Sequence, residues 1–200
     1  MTDPGAAAIG APSQLLHPAA TTPGVALFSG VAATSGFLAF AVLQARAVGI
    51  GAWSVVLLLF GLTVVALRLL FARLPDRVAP LRLAAAALTA AAVGLLVIGV
   101  LRSPAGLVTG TVILAAATAF LTPAIFAAVF SAVPASERGS AAATTSIFLD
   151  LGLSGGPMLM GLLAATASVP TAFVLAAALP IAGGSLLLAP GRRQRPTLVS

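Results

Sequence analysis

Arg82-LAAAALTAAAVGLLVIGVL-Arg102 holds nineteen uncharged residues, Leu83 to Leu101, closed at each end by an arginine. Coiled as a helix at 1.5 Å per residue it measures roughly 28 Å, the thickness of a bilayer's hydrocarbon core. A helix of this composition has no polar face to turn to water. The stretch therefore predicts a transmembrane helix, and its arginines predict where that helix leaves the lipid.

Five further stretches share this character. Upstream, one runs from about Gly24 to Ala45 and stops before Arg46, and a second lies between Arg46 and Arg68, centred on Val55 to Phe60. Downstream, 34 uncharged residues separate Arg102 from Glu137, too many for one straight span. They predict a helix near Ala105 to Ser131, kinked by Pro123. The next begins at about Arg138 and reaches Thr166, interrupted only by Asp150. A turn at Val169-Pro170-Thr171 then leads into a last helix that ends near Leu188, before Ala189-Pro190-Gly191. The fold class expected is an all-α membrane protein, a bundle of six transmembrane helices over residues 24–189.

Composition agrees. Of the 200 residues 60% are hydrophobic and 7% charged, against roughly 25% charged in a soluble domain. A soluble fold of this size leaves about a third of its unfolded surface exposed, which here would be apolar. The chain has no Cys, one His and four acids scattered along its length. A disulfide framework, a metal site and a hydrolytic triad thus have no constellation to build on, and no catalytic residue, metal or cofactor is expected. Its basic residues do not cluster on a polar face, so nucleic acid is not an expected partner. The lipid bilayer is. Residues 1–23, rich in Ala, Pro, Gly and Thr and without a basic n-region, read as a disordered tail or linker with His17 inert inside it; residues 190–200 read as a second tail.

An even number of helices puts both termini on one side. Arg68, Arg73, Arg77, Arg82, Arg138, Arg192, Arg193 and Arg195 fall on the face of the termini, and only Arg46 and Arg102 on the other. Eight against two predicts cytoplasmic termini, and places Trp53 at the outer interface as an anchor. Small residues in every span, among them Gly30, Gly36, Gly94 and Gly99, predict close helix packing within one bundle.

Two stretches carry a more specific signal. The connection between the second and third helices reads Ala72-Arg73-Leu74-Pro75-Asp76-Arg77-Val78-Ala79-Pro80-Leu81-Arg82. It is similar to the cytoplasmic signature G-x-L-x-D-R-x-G-R-R of the major facilitator superfamily (MFS), with Ala72 and Ala79 where the signature has glycine. Asp76, just before the third helix, is placed to meet free N–H groups at its start. On charge alone the segment also reads as an ordinary basic loop. The second stretch runs Pro134-Ala135-Ser136-Glu137-Arg138-Gly139-Ser140-Ala141, then Asp150-Leu151-Gly152-Leu153-Ser154-Gly155-Gly156-Pro157. It resembles the junction before the penultimate helix in the C-terminal half of MFS efflux permeases, and Gly152-x-x-x-Gly156-Pro157 is similar to the antiporter signature of the other half. The resemblance covers roughly residues 15 to 190.

Asp150 is the candidate for proton coupling. At 12 residues beyond Arg138 it lies ~18 Å along the helix, near mid-membrane. A carboxylate there costs about 2.5–3.5 kcal/mol, so it is expected to face the bundle interior or a wet cavity. The alternative is a structural acid hydrogen-bonded to Ser146, Ser154 or a neighbouring helix. Gly152, Gly156 and Pro157 form a helix-packing motif, whose plain reading is close packing without further role. Arg73, Asp76, Arg77 and Arg82 form the candidate conformational gate, and Pro134, Arg138 and Gly139 the junction motif.

What the resemblance implies is a secondary transporter of the plasma membrane: proton-coupled efflux of a small-molecule substrate by alternating access, as an antiporter. MFS carriers comprise two six-helix halves, each a 3+3 inverted repeat. The chain supplies one, so a complementary N-terminal half, or a second copy, is the expected partner. The alternative is a non-transporting membrane scaffold or an inactive truncated relic.

Overall fold

The computed structural model of the chain describes residues 16–73 and 78–189. Within them every regular element is helical: α1 (Pro18–Ala47), α2 (Ser54–Leu70), α3 (Pro80–Leu101), α4 (Pro104–Ala132), a 3-10 turn at Ala135–Glu137, α5 (Arg138–Thr166), α6 (Val169–Ala176) and α7 (Ala178–Leu188). The last two are halves of one 20-residue span, Val169–Leu188. That span, α1, α3, α4 and the stretch Ala135–Thr166 are long and apolar enough to cross a membrane. α2, at 17 residues, stands at the lower limit for doing so. The chain is a multi-pass membrane protein, with five such spans and the shorter apolar α2 among the described residues.

The helices start and stop where backbone chemistry permits. α3 ends at Leu101 because Arg102 adopts the left-handed conformation, φ 42°. Two residues later Ser103 caps α4, accepting a hydrogen bond from the Gly106 N–H at 3.1 Å, with Pro104 at the first helical position. Ser168 caps α6 in the same way through the Thr171 N–H.

Three boundaries depart from the sequence reading. α1 begins at Pro18, six residues before Gly24, so residues 18–23 belong to the bundle and not to a tail. Pro18 needs no N–H partner at the first helical position, and the N–H of His17 before it is satisfied from another helix, by Thr144 Oγ1 at 2.8 Å. Val169-Pro170-Thr171 is the first turn of a helix; the chain turns at Ala167 and Ser168. The final span is broken at Ala177 because Pro180 has no N–H for the Ala176 carbonyl. Residues 1–15 and 190–200, read as tails, lie outside the described residues.

α1 packs most extensively on α5, and α3 on α4; α2 rests on α4, and α7 lies against both α1 and α3. Exchanging α1 with α4, α2 with α5, and α3 with the α6–α7 span maps these principal pairs onto one another, the relation expected of a 3+3 inverted repeat. Both of the most extensive pairs are brought together by facing glycines. A methyl at Gly36 would lie 3.1 Å from the Gly156 carbonyl, and one at Gly94 2.9 Å from the Gly110 carbonyl. In lipid no hydrophobic force draws helices together, so contact of this kind supplies much of the attraction. At the centre, Thr34 of α1 and Thr118 of α4 share a hydrogen bond of 3.1 Å. Two apolar clusters flank that crossing: Phe37, Phe60 and Phe173 towards one end, Leu27, Leu88, Leu121 and Ile125 towards the other.

Candidate functional site

α5 has two unlike faces. Ala141, Thr145, Gly152 and Gly156 are buried at helical spacing and look onto α1. At Gly152 a side chain would meet Val31 and the Phe28 carbonyl, the latter at 3.0 Å; at Gly156 it would run into Ser35 and the Ala32 carbonyl. Both glycines are therefore in the α1 seam, where Ser35 Oγ donates to the Gly152 carbonyl at 2.9 Å. Pro157, one residue on, gives no N–H to the Leu153 carbonyl.

Asp150 lies about 200° round the helix from Gly152, on the opposite face. It is exposed, and among the described residues it makes no hydrogen bond or ion pair. The expectation that it points into this bundle's interior is thus corrected, as is the alternative that Ser146, Ser154 or a neighbouring helix holds it. The reason is the glycine seam: the face narrow enough to meet α1 is the one carrying Gly152 and Gly156, and Asp150 must turn away from it. Its own face carries Ser146 and Ser154, four residues to either side, then Pro157 and Gly161. This polar and small strip is bordered by exposed Ile147, Leu151, Met158 and Leu162.

The other candidates that fall among the described residues lie around one end of the bundle, the end where α1 begins. Arg73 and Arg82 are exposed and without an ion pair among the described residues. Asp76 and Arg77 lie outside the described residues. The residue capping α3 is Ala79, whose side chain makes no cap hydrogen bond. Pro134 precedes the 3-10 turn, Arg138 opens α5, and both are exposed. Gly139 faces open space, so no neighbour demands a glycine there.

Sequence reasoning missed three features. His17, expected to be inert, is the N-cap residue of α1, and its Nε2 lies 3.0 Å from Glu137 Oε2. The proline at position 18 was a signal for a helix start there. Arg68 reaches from α2 to α4, donating from Nε to the Ala119 carbonyl at 3.4 Å. That carbonyl is one that Pro123, four residues later, cannot serve; the proline signals the vacancy but not the donor. Gln44 is buried in α1, and neither atom of its amide has a partner among the described residues.

No group of three or more potential metal ligands occurs among the described residues. The family model described as Major Facilitator Superfamily matches residues 19–199. A protein of Escherichia coli K12, described as the uncharacterized MFS-type transporter YhhS, is 32% identical over 123 residues, 62% of this chain and 30% of the relative. Its counterparts in Shigella flexneri and Escherichia coli O157:H7 give the same figures. The match thus spans under a third of the length of these relatives. No solved structure matches the chain.

Proposed function

The chain belongs to the Major Facilitator Superfamily, a family of membrane transporters, and from that premise we propose that it forms the C-terminal six-helix half of a secondary carrier exporting a small molecule against a proton gradient. Both termini face the cytoplasm of a plasma membrane in this reading, with the arginine-rich end of the bundle inside.

The observation that carries the proposal is the placement of Asp150. A carboxylate near mid-span, on an uncovered helix face, is costly in lipid and needs water or a protein partner. A second six-helix body across an aqueous cavity supplies both. The acid then stands on the translocation path, where acids of this kind relay protons in pumps and transporters. Arg73, Asp76, Arg77 and Arg82 act at a distance from substrate, by changing partners as the two halves rock. Pro134 and Arg138 set the entry into α5, and Gly139 keeps its first turn unobstructed.

Reconstitution tests this directly. The chain in proteoliposomes, with and without a candidate N-terminal half, is assayed for pH-driven uptake of a panel of drugs and sugars. Uptake only when both halves are present is the expected outcome; no uptake with any half, despite a stable complex, would favour a scaffold.

A further inference from the structure

A cavity of about 470 Å³ opens between α2 and α4, lined by Arg68, Phe71, Ala119, Phe120, Thr122 and Pro123. That is the size of a small-molecule site, where walls are apolar and a few polar groups set orientation. Three observations say what fits. Arg68 has no carboxylate partner among the described residues, and one of its five N–H groups is used, on the Ala119 carbonyl. Thr111 and Thr118, on the same helix, return their hydroxyls to carbonyls four residues back. Thr122 does not; its hydroxyl has no partner among the described residues. Phe71, the residue that follows α2, and Phe120 on α4 provide aromatic walls.

We propose that this cavity binds an organic anion, with the carboxylate or sulfonate on Arg68 and Thr122 and a flat apolar body against Phe71 and Phe120. Guanidinium is the side chain best matched to such groups, because its fixed fork of donors meets two oxygens at once. The long bond from Nε to the Ala119 carbonyl, 3.4 Å on an exposed side chain, biases the fork towards the cavity before the ligand arrives, which lowers the ordering cost of binding. The proposal rests on the carrier reading only in making this ligand the substrate class; binding is measured without transport.

The test uses the full chain in nanodiscs of phosphatidylcholine and the intrinsic fluorescence of 2-naphthoate, with neutral 2-naphthamide as control. Naphthoate is expected to bind, and naphthamide to bind far more weakly. Arg68→Gln should weaken naphthoate roughly tenfold to a hundredfold, the usual effect of losing a hydrogen bond to a charged group. Arg68→Lys should recover part of that loss. Thr122→Val, which leaves the helix and the charge intact, should cost about threefold to tenfold. Equal binding of naphthoate and its amide, or no response to Arg68→Gln and Thr122→Val, would overturn the proposal. So would naphthoate failing to bind while phosphatidylglycerol added to the nanodisc is retained in an Arg68-dependent way, since the site would then hold lipid headgroups. If binding behaves as stated but reconstituted transport fails, the anion site stands and the carrier reading falls.

Discussion

Ser35 and Gly152 join α1 to α5 by a hydroxyl-to-carbonyl hydrogen bond of 2.9 Å. The bond exists only because Gly156, one turn on, leaves room for the Ser35 side chain and the Ala32 carbonyl. Gly156→Ala is therefore expected to force the helices apart and to destabilise the protein by about 1–3 kcal/mol, as overpacking does. Gly155, whose added methyl would come no closer than 3.8 Å to Phe28, is the control: Gly155→Ala should be neutral or stabilising by up to roughly 1 kcal/mol. Thermal unfolding in detergent, read side by side, decides between them.

Asp150→Asn, in a reassembled two-half carrier, should abolish transport driven by a pH gradient and spare counterflow, which moves no net proton. Loss of both activities together would point to assembly, not coupling. Because Asp150 is exposed and makes no hydrogen bond or ion pair among the described residues, thermal stability of the isolated chain should be unchanged within about 0.5 kcal/mol.

Orientation is open to labelling. Gly51 stands in open space between α1 and α2, Ala167 is exposed between α5 and α6, and Ser136 is exposed at the opposite end. None of the three side chains caps a helix. Gly51→Cys and Ala167→Cys should react with an impermeant maleimide added outside cells, and Ser136→Cys only after permeabilisation. The reverse pattern would invert the proposed topology.

The docking of α1's first turn on α5 can be isolated through Thr144. Thr144→Val removes the acceptor of the His17 N–H and should speed amide exchange at that residue about fivefold, the effect of one ordinary hydrogen bond. Exchange in α3 should not change. An unaltered His17 rate would mean that the turn is held by packing alone.

Most of the helices were legible from uncharged length and flanking arginines, because the cost of moving a charge into hydrocarbon dominates the pattern. Leu101 and Arg138 emerged as boundaries for that reason, and Thr166 from the Val169-Pro170-Thr171 stretch that follows it. Pro18 did not: the proline was a local signal for a helix start, but the Thr144 hydroxyl that receives the N–H of His17 before it lies 127 residues from His17 in sequence. The same holds for the site. Asp150 stood out as a lone acid in an apolar span, but its direction is set by where Gly152 and Gly156 must face. Arg68 was counted only as a loop charge, since nothing near it in sequence announces the Ala119 carbonyl.

The pairing of α1 with α5 also bears on how the chain enters the membrane. α3 and α4 are joined by two residues, Arg102 and Ser103, and can leave the translocon as a ready hairpin. α1 cannot pair so early. The 119 residues from Val48 to Thr166 must be translated before its full partner exists, a delay of ~6–24 s at ordinary elongation rates. For that interval Ser29, Thr34, Ser35 and Gln44, all buried at maturity, lie in lipid or in the hands of an insertase, which makes α1 the natural client of any intramembrane chaperone acting on this protein.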